Sequence, residues 1–305
     1  MKHEPGVMTP VLQLPRIRVF VALACCFWVA VAWPAPGSGG DFSQALSLYQ
    51  TGHYSEARIH FARLAAERPN DVEINFYLGR LAWWFDDDAE AVMRLERAAQ
   101  NAPRDARIQN ALGDAYGLRA LNVEFFAKYG WARKCLAAHE FAVRIAPDDA
   151  ACRWGLLGYY CLAPGFAGGG YDKALVQAAV IRKLDPVSGR VAFATVYLAE
   201  GRNGAAFAEF DSALRSAPDD FFTLYHIGRC AALSGEQLDR GAAALRRCLH
   251  LTPPEGEDMP TEASVHFRLG NILEKQGKKA DAKVEYDAAS RVQPDFRAEK
   301  IQLKN

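Results

Sequence analysis

Along most of this chain, small and large apolar residues recur at fixed distances before a proline. Counting back from Pro294, a small residue falls twelve positions before (Ala282), an aromatic eight before (Tyr286) and an alanine five before (Ala289), with Leu269-Gly270 at twenty-five and twenty-four. The same offsets from Pro103 land on Ala91, Leu95, Ala98 and Leu78-Gly79; from Pro218 on Ala206, Phe210 and Ala213; from Pro69 on Ala57, Phe61 and Leu64. Steps of four and three place these residues on one face of a helix. Alanine is abundant and runs of β-branched residues are few, which favours helix over strand.

The marker prolines are Pro69, Pro103, Pro147, Pro186, Pro218, Pro253 and Pro294, at successive spacings of 34, 44, 39, 32, 35 and 41 residues. A base period of 34 with insertions accounts for them, and such self-similarity marks a repeat architecture. Each residue type has a physical role. Glycine or alanine early in the unit, and alanine before the aromatic, allow two helices to cross closely. A larger side chain there overpacks at a cost of ~1–3 kcal/mol. The aromatic fills space between one repeat and the next. Proline cannot continue a helix and helps end the second one. Aspartate after it, as in Pro-Asp-Asp, caps the following helix.

This pattern resembles the tetratricopeptide repeat, a pair of antiparallel helices per 34 residues with Leu-Gly at positions 7 and 8, Ala at 20, an aromatic at 24, Ala at 27 and Pro at 32. The best match is VHFRLGNILEKQGKKADAKVEYDAASRVQPD. The resemblance implies an all-α, right-handed α-solenoid of about seven helix-turn-helix repeats over residues 41–297. A lone repeat cannot bury its apolar face, so neighbours stack.

Three stretches depart from the period. Tyr116 and Cys135, at positions 11 and 20 of repeat 3, lie nineteen apart instead of nine, so residues near 117–134 are expected to add turns to both helices. In repeat 4, Tyr160 and Ala174 lie fourteen apart, and PGFAGGG (164–170) reads as a lengthened turn. Its glycines invite comparison with phosphate-binding loops, but Tyr171-Asp172 stands where Lys-Ser/Thr would be needed and no strand precedes it. Asp172 is expected to cap the next helix. Residues 254–262, PEGEDMPTE, read as a polar loop, and 298–305 as a C-terminal cap or tail.

Charge and composition narrow the function. Lys+Arg and Asp+Glu both total 36, so the chain is neutral and lacks the basic excess of a nucleic-acid binder. Near the N-terminus, Lys2, Arg16 and Arg18 precede the uncharged run Val19–Ala32, followed by WPAPGSGG. The run is shorter than the ~20 residues of a membrane span. It reads as a secretory signal over residues 1–32, with Ala30-Val31-Ala32 as the cleavage site, and 33–40 as a Pro/Gly linker. The mature chain is then exported, periplasmic or secreted, without a transmembrane domain. The alternative is an anchor through uncleaved residues 19–32.

Five cysteines remain beyond the signal, irregularly spaced and without CxxC, and read as small apolar core residues. Asp86-Asp87-Asp88 lacks a calcium-loop pattern and fits the start of a helix. The histidines are scattered singly. No metal, cofactor or catalytic constellation is expected, and the chain reads as a non-enzyme.

The family resemblance implies a concave groove lined by first-helix positions 2, 5, 9, 12 and 13. Position 5 supplies Phe42, Phe76, Asn110, Trp154, Val191, Tyr225 and Phe267. Position 9 supplies Arg80, Asp114, Arg229 and Asn271; Tyr49, Trp83 and Trp84 fall at 12 and 13. The Lys-and-Asn pair of carboxylate-clamp repeats is absent. The leading expectation is an exported protein–protein scaffold that holds a peptide or helix in this groove. The alternatives are a glycan binder stacking sugars on Trp83, Trp84 and Trp154, an accessory subunit of an envelope enzyme, or aromatic rings that belong to the core.

Overall fold

The computed structural model describes residues 40–254 and 259–297. The expected signal or anchor, most of the linker, the centre of the 254–262 loop and the 298–305 tail lie outside the described residues. Among the described residues are fourteen α-helices and no strand. They pair as α1 (Gly40–Gln50) with α2 (Tyr54–Glu67), α3 (Val72–Trp84) with α4 (Asp88–Asn101), and α5 (Ala106–Asn122) with α6 (Phe125–Ile145). The series continues with α7 (Ala150–Leu162) and α8 (Tyr171–Leu184), α9 (Pro186–Ala199) and α10 (Asn203–Ser216), α11 (Phe221–Ser234) and α12 (Leu238–Cys248), and α13 (Glu262–Lys275) and α14 (Lys279–Val292). These are seven hairpins of an α-solenoid. From α3 onward, the odd-numbered helices of successive repeats also touch one another, so they form the inner layer.

The small residue at position 8 has a definite partner. A Cβ on Gly79 would lie 2.5 Å from Leu95, one on Gly228 2.2 Å from Leu245, and one on Gly270 2.4 Å from Tyr286. Position 8 therefore receives the position-24 side chain of its own repeat. That side chain also reaches outward: Phe61 stacks on Tyr77 of the next repeat at 5.1 Å.

Caps follow the proline-aspartate pattern. Asp71, Asp105, Asp149, Asp185 and Asp220 each accept hydrogen bonds from first-turn amides of the next helix. A second staple joins the same loops. Asn75, Gln109 and Arg153, each six residues after a marker proline, donate side-chain hydrogen bonds to the carbonyls of Pro69, Pro103 and Pro147. Pro186 differs. It is the first residue of α9, where its missing N–H costs nothing, and only Asp185 separates α8 from α9.

The departures from the period resolve as follows. Repeat 3 lengthens both helices, to 17 residues in α5 and 21 in α6, against 14 in α4 and α8. Seven extra residues at a rise of ~1.5 Å make α6 roughly 10 Å longer. Asp87 caps α4 as expected, accepting from the Glu90 amide at 3.1 Å. Asp172 does not cap α8: Gly170 holds that place and Asp172 lies inside the first turn.

The last repeat returns to the first. The α2 N-terminus has no side-chain cap of its own. Asp295 supplies one, accepting from the Ser55 amide at 2.7 Å and the Ser55 hydroxyl at 2.6 Å. Trp84 Nε1 donates to the Asp295 carbonyl at 2.9 Å, and Arg297 pairs with Asp86 at 3.0 Å. A clasp thus joins residues more than two hundred positions apart.

Candidate functional site

The glycine loop is the first place to look for a ligand, and its amides are occupied. The N–H groups of Gly168, Gly169 and Gly170 donate to the carbonyls of Gly165, Pro164 and Tyr160 at 2.9, 3.2 and 2.9 Å. Phosphate loops work by aiming such amides outward, so this loop offers no anion cradle. Each glycine has a local reason. Gly168 and Gly170 have φ of 95° and 148°, and a Cβ on Gly169 would sit 1.7 Å from the Ala163 carbonyl oxygen. Tyr159 Oη donates to the Ala167 carbonyl at 2.6 Å and Lys173 to that of Gly168 at 2.7 Å, so the loop is tied down from both sides.

The inner layer does not form one open aromatic wall. Phe76 is fully buried, with the Arg107 guanidinium 4.3 Å from its ring centroid. Val191, Tyr225 and Phe267 are also buried. At these places the position-5 side chain is buried and belongs to the core. Trp154 is half-buried and reaches past the next repeat, lying 6.0 Å from Phe222 and 6.4 Å from His226 of α11. These three rings fill the inner side of repeats 4–6. Trp84 is committed to the clasp and to Tyr54, 4.8 Å away.

The inner face of repeats 1–3 is different. Phe42, Tyr49, Trp83 and Asp114 are each half-buried there. Phe42 and Tyr49 pack on Tyr77 at 6.2 and 5.0 Å. Arg80, buried, approaches Asp114 at 3.7 Å, while the Asp114 carboxylate keeps about a third of its exposure. Behind them Asn110 is buried, and its side-chain oxygen meets His139 Nδ1 at 2.9 Å.

His139 occupies position 24 of repeat 3, the aromatic slot. A Cβ on Gly113 or on Gly155 would come within 2.7 Å or 2.8 Å of its ring, so two glycines make room for it. Burial pulls its pKa down to about 4, which leaves the ring neutral at pH 7. Sequence reasoning treated it as an isolated histidine; its register position was the available signal.

In the C-terminal half, Arg229 is buried, with its pKa lowered to about 10 by burial and then by Arg268. Asn271, half-buried, donates to Tyr286 Oη at 3.0 Å. The structure therefore brings Arg80, Asp114 and Asn110 together in repeats 2 and 3, and Trp154 and Tyr225 into the packing of α11, but does not gather all the expected residues into one site. The five described cysteines are free thiols, four of them buried, and no group of three or more potential metal ligands occurs among the described residues.

Two tetratricopeptide-repeat family models match the chain, one over residues 42–106 and the other over 263–296. No curated protein matches it. Among solved structures, a thermophilic tetratricopeptide-repeat protein of Thermus thermophilus is similar at TM-score 0.52 and 22% identity, over 69% of this chain and 98% of that one. A tetratricopeptide repeat protein from Parabacteroides merdae gives TM-score 0.51 and 15% identity, over 87% and 98% of the two chains. Yeast Tom70 gives 0.56 and 13%, over 86% of this chain and 55% of Tom70. At these identities the likeness speaks to fold.

Proposed function

We propose that this chain, a tetratricopeptide-repeat protein, is exported and serves as a scaffold that holds a segment of another protein against the inner face of repeats 1–3. Fold alone does not assign a ligand. The reading is carried by the partly exposed surface where Trp83 lies on the inner layer with the Arg80–Asp114 pair. An aromatic beside a charged pair suits an extended peptide with an apolar side chain next to a basic one. The glycan alternative needs open indole faces, and Trp84 and Trp154 are both engaged within the protein, which favours the peptide reading.

The test pairs binding with stability. Trp83→Ala should weaken capture of the native partner from envelope extracts by at least about tenfold, equivalent to ~1.4 kcal/mol, with little change in denaturation midpoint. Trp154→Ala should do the reverse. Equal capture by Trp83→Ala and the parent protein would remove the peptide reading. For export, N-terminal sequencing from the native host should find Trp33 first, after cleavage at Ala30-Val31-Ala32; a soluble cytoplasmic product starting at Met1 would refute it.

A further inference from the structure

The two insertions in repeats 3 and 4 meet at one place on the outside of the solenoid. The start of the long helix α6 and the glycine loop lie side by side, with the Tyr129 and Phe166 rings 6.5 Å apart. Phe125 is 75% exposed, Phe126 94% and Phe166 77%, and Leu121 and Leu162 flank them, also exposed. Together with Tyr129 these are all the exposed aromatic residues among the described ones. Everywhere else the solenoid tucks its rings away. A cluster of this kind marks an interaction surface.

We propose that this edge docks on an anionic lipid surface. The charge around it is one argument. Residues 119–134 and 162–173 carry Arg119, Lys128, Arg133, Lys134 and Lys173 against only Glu124 and Asp172, in a chain that is neutral overall. Lys128 and Arg133 are exposed beside the rings. Lys134 lies 4.3 Å from the Trp131 ring centroid and Arg119 pairs with Asp88, so these two are positioned by the protein.

Shape is the other argument. Phe125 and Phe126 stand at the first turn of the lengthened hairpin, rings 5.7 Å apart and splayed by 79°. A projecting pair of splayed rings needs a receptor that closes around it, which a fluid interface does without a preformed pocket. Apolar rings entering the headgroup boundary, with lysine and arginine behind them at phosphate level, is the arrangement of an interfacial anchor. The glycines fit the same account: they hold the loop in the one path that sets Phe166 beside Tyr129, with Tyr159 and Lys173 fastening it. This surface is separate from the inner face and does not depend on the peptide reading.

Hydrogen–deuterium exchange of the full chain tests it, because the readout is local and is unaffected by binding through any other segment. Vesicles of phosphatidylcholine containing about one-third phosphatidylglycerol should protect residues 121–134 and the loop around Phe166, and pure phosphatidylcholine should protect them far less. Phe125→Ser/Phe126→Ser, exposed positions at which folding should be unaffected, should lower protection at least about tenfold. Lys128→Glu/Arg133→Glu should lower it on anionic vesicles alone. Ile59→Ser, an exposed apolar residue elsewhere, should leave it unchanged. Vesicle binding without protection of these segments would overturn the proposal. So would protection that follows added host protein and not lipid, which would make the edge a protein-docking surface.

Discussion

Gly158 and Gly228 stand at neighbouring register positions, 9 and 8, of the inner helices of repeats 4 and 6, yet adding one methyl group to each should move stability in opposite directions. Both lie inside a helix, where alanine is favoured over glycine by ~1 kcal/mol. A Cβ on Gly158, at position 9 and partly exposed, meets nothing within 4 Å. Gly158→Ala should therefore stabilise by ~0.5–1 kcal/mol. A Cβ on Gly228 would lie 2.2 Å from Leu245 Cγ and within 2.6 Å of both Leu245 methyls. Leu245 is fully buried and cannot swing into solvent. Overpacking of this kind costs ~1–3 kcal/mol. Offset by the helix preference, Gly228→Ala should still lose up to ~2 kcal/mol. The assay is the urea midpoint, read by circular dichroism on each variant. A third arm isolates the contact. Leu245→Ala alone should cost ~2–5 kcal/mol, and adding Gly228→Ala to it should be neutral or stabilising, because the new methyl enters the vacated space. If both glycines respond with the same sign, or if Gly228→Ala costs as much without Leu245 as with it, the pairing of positions 8 and 24 is refuted.

Three further outcomes are expected. His139 has its pKa depressed to about 4 by burial, so the unfolded chain takes up a proton that the folded one refuses. Its contribution to stability is intact above the unfolded value of ~6.5 and is lost as pH falls towards about 4; an NMR titration with a midpoint near 6.5 for this ring would contradict the buried placement. Asp295→Ala should remove the cap of α2, cost ~0.5–2 kcal/mol and speed hydrogen exchange at the Ser55 amide, and unchanged exchange there would count against the clasp. Among the described cysteines, Cys161 is the half-buried one, and burial pushes its pKa up to about 11. It should label slowly with a thiol reagent in the native state, the other four only on unfolding; a denatured chain lacking these five reactive thiols would reveal a disulfide instead.

Much of the architecture was legible in the residues because each repeat writes its own local physics. Proline, the aspartate after it, the early glycine and the later alanine and aromatic act within 34 residues, so their spacing marks the repeat and its caps, and the family that the pattern resembles implies the hairpins and their stacking. The insertions were legible for the same reason, since they break a period. The groove was not. Whether Phe76 faces a cavity or a neighbour depends on how tightly successive inner helices approach, and Trp154 meets Phe222 and His226 only because the inner layer curves enough to bring repeat 4 against repeat 6. His139 could be placed in its slot by counting, but its burial depends on glycines from two repeats. The outer aromatic edge needed two insertions to be neighbours in space, and the clasp of Asp295 with Ser55 and Trp84 joins the two ends of the array. Sequence by itself determined what is settled within one repeat and its neighbour, because those contacts recur with the period. Tertiary structure alone decided the contacts between distant repeats, which depend on small rotations summed over the whole array and have no signature at any single position.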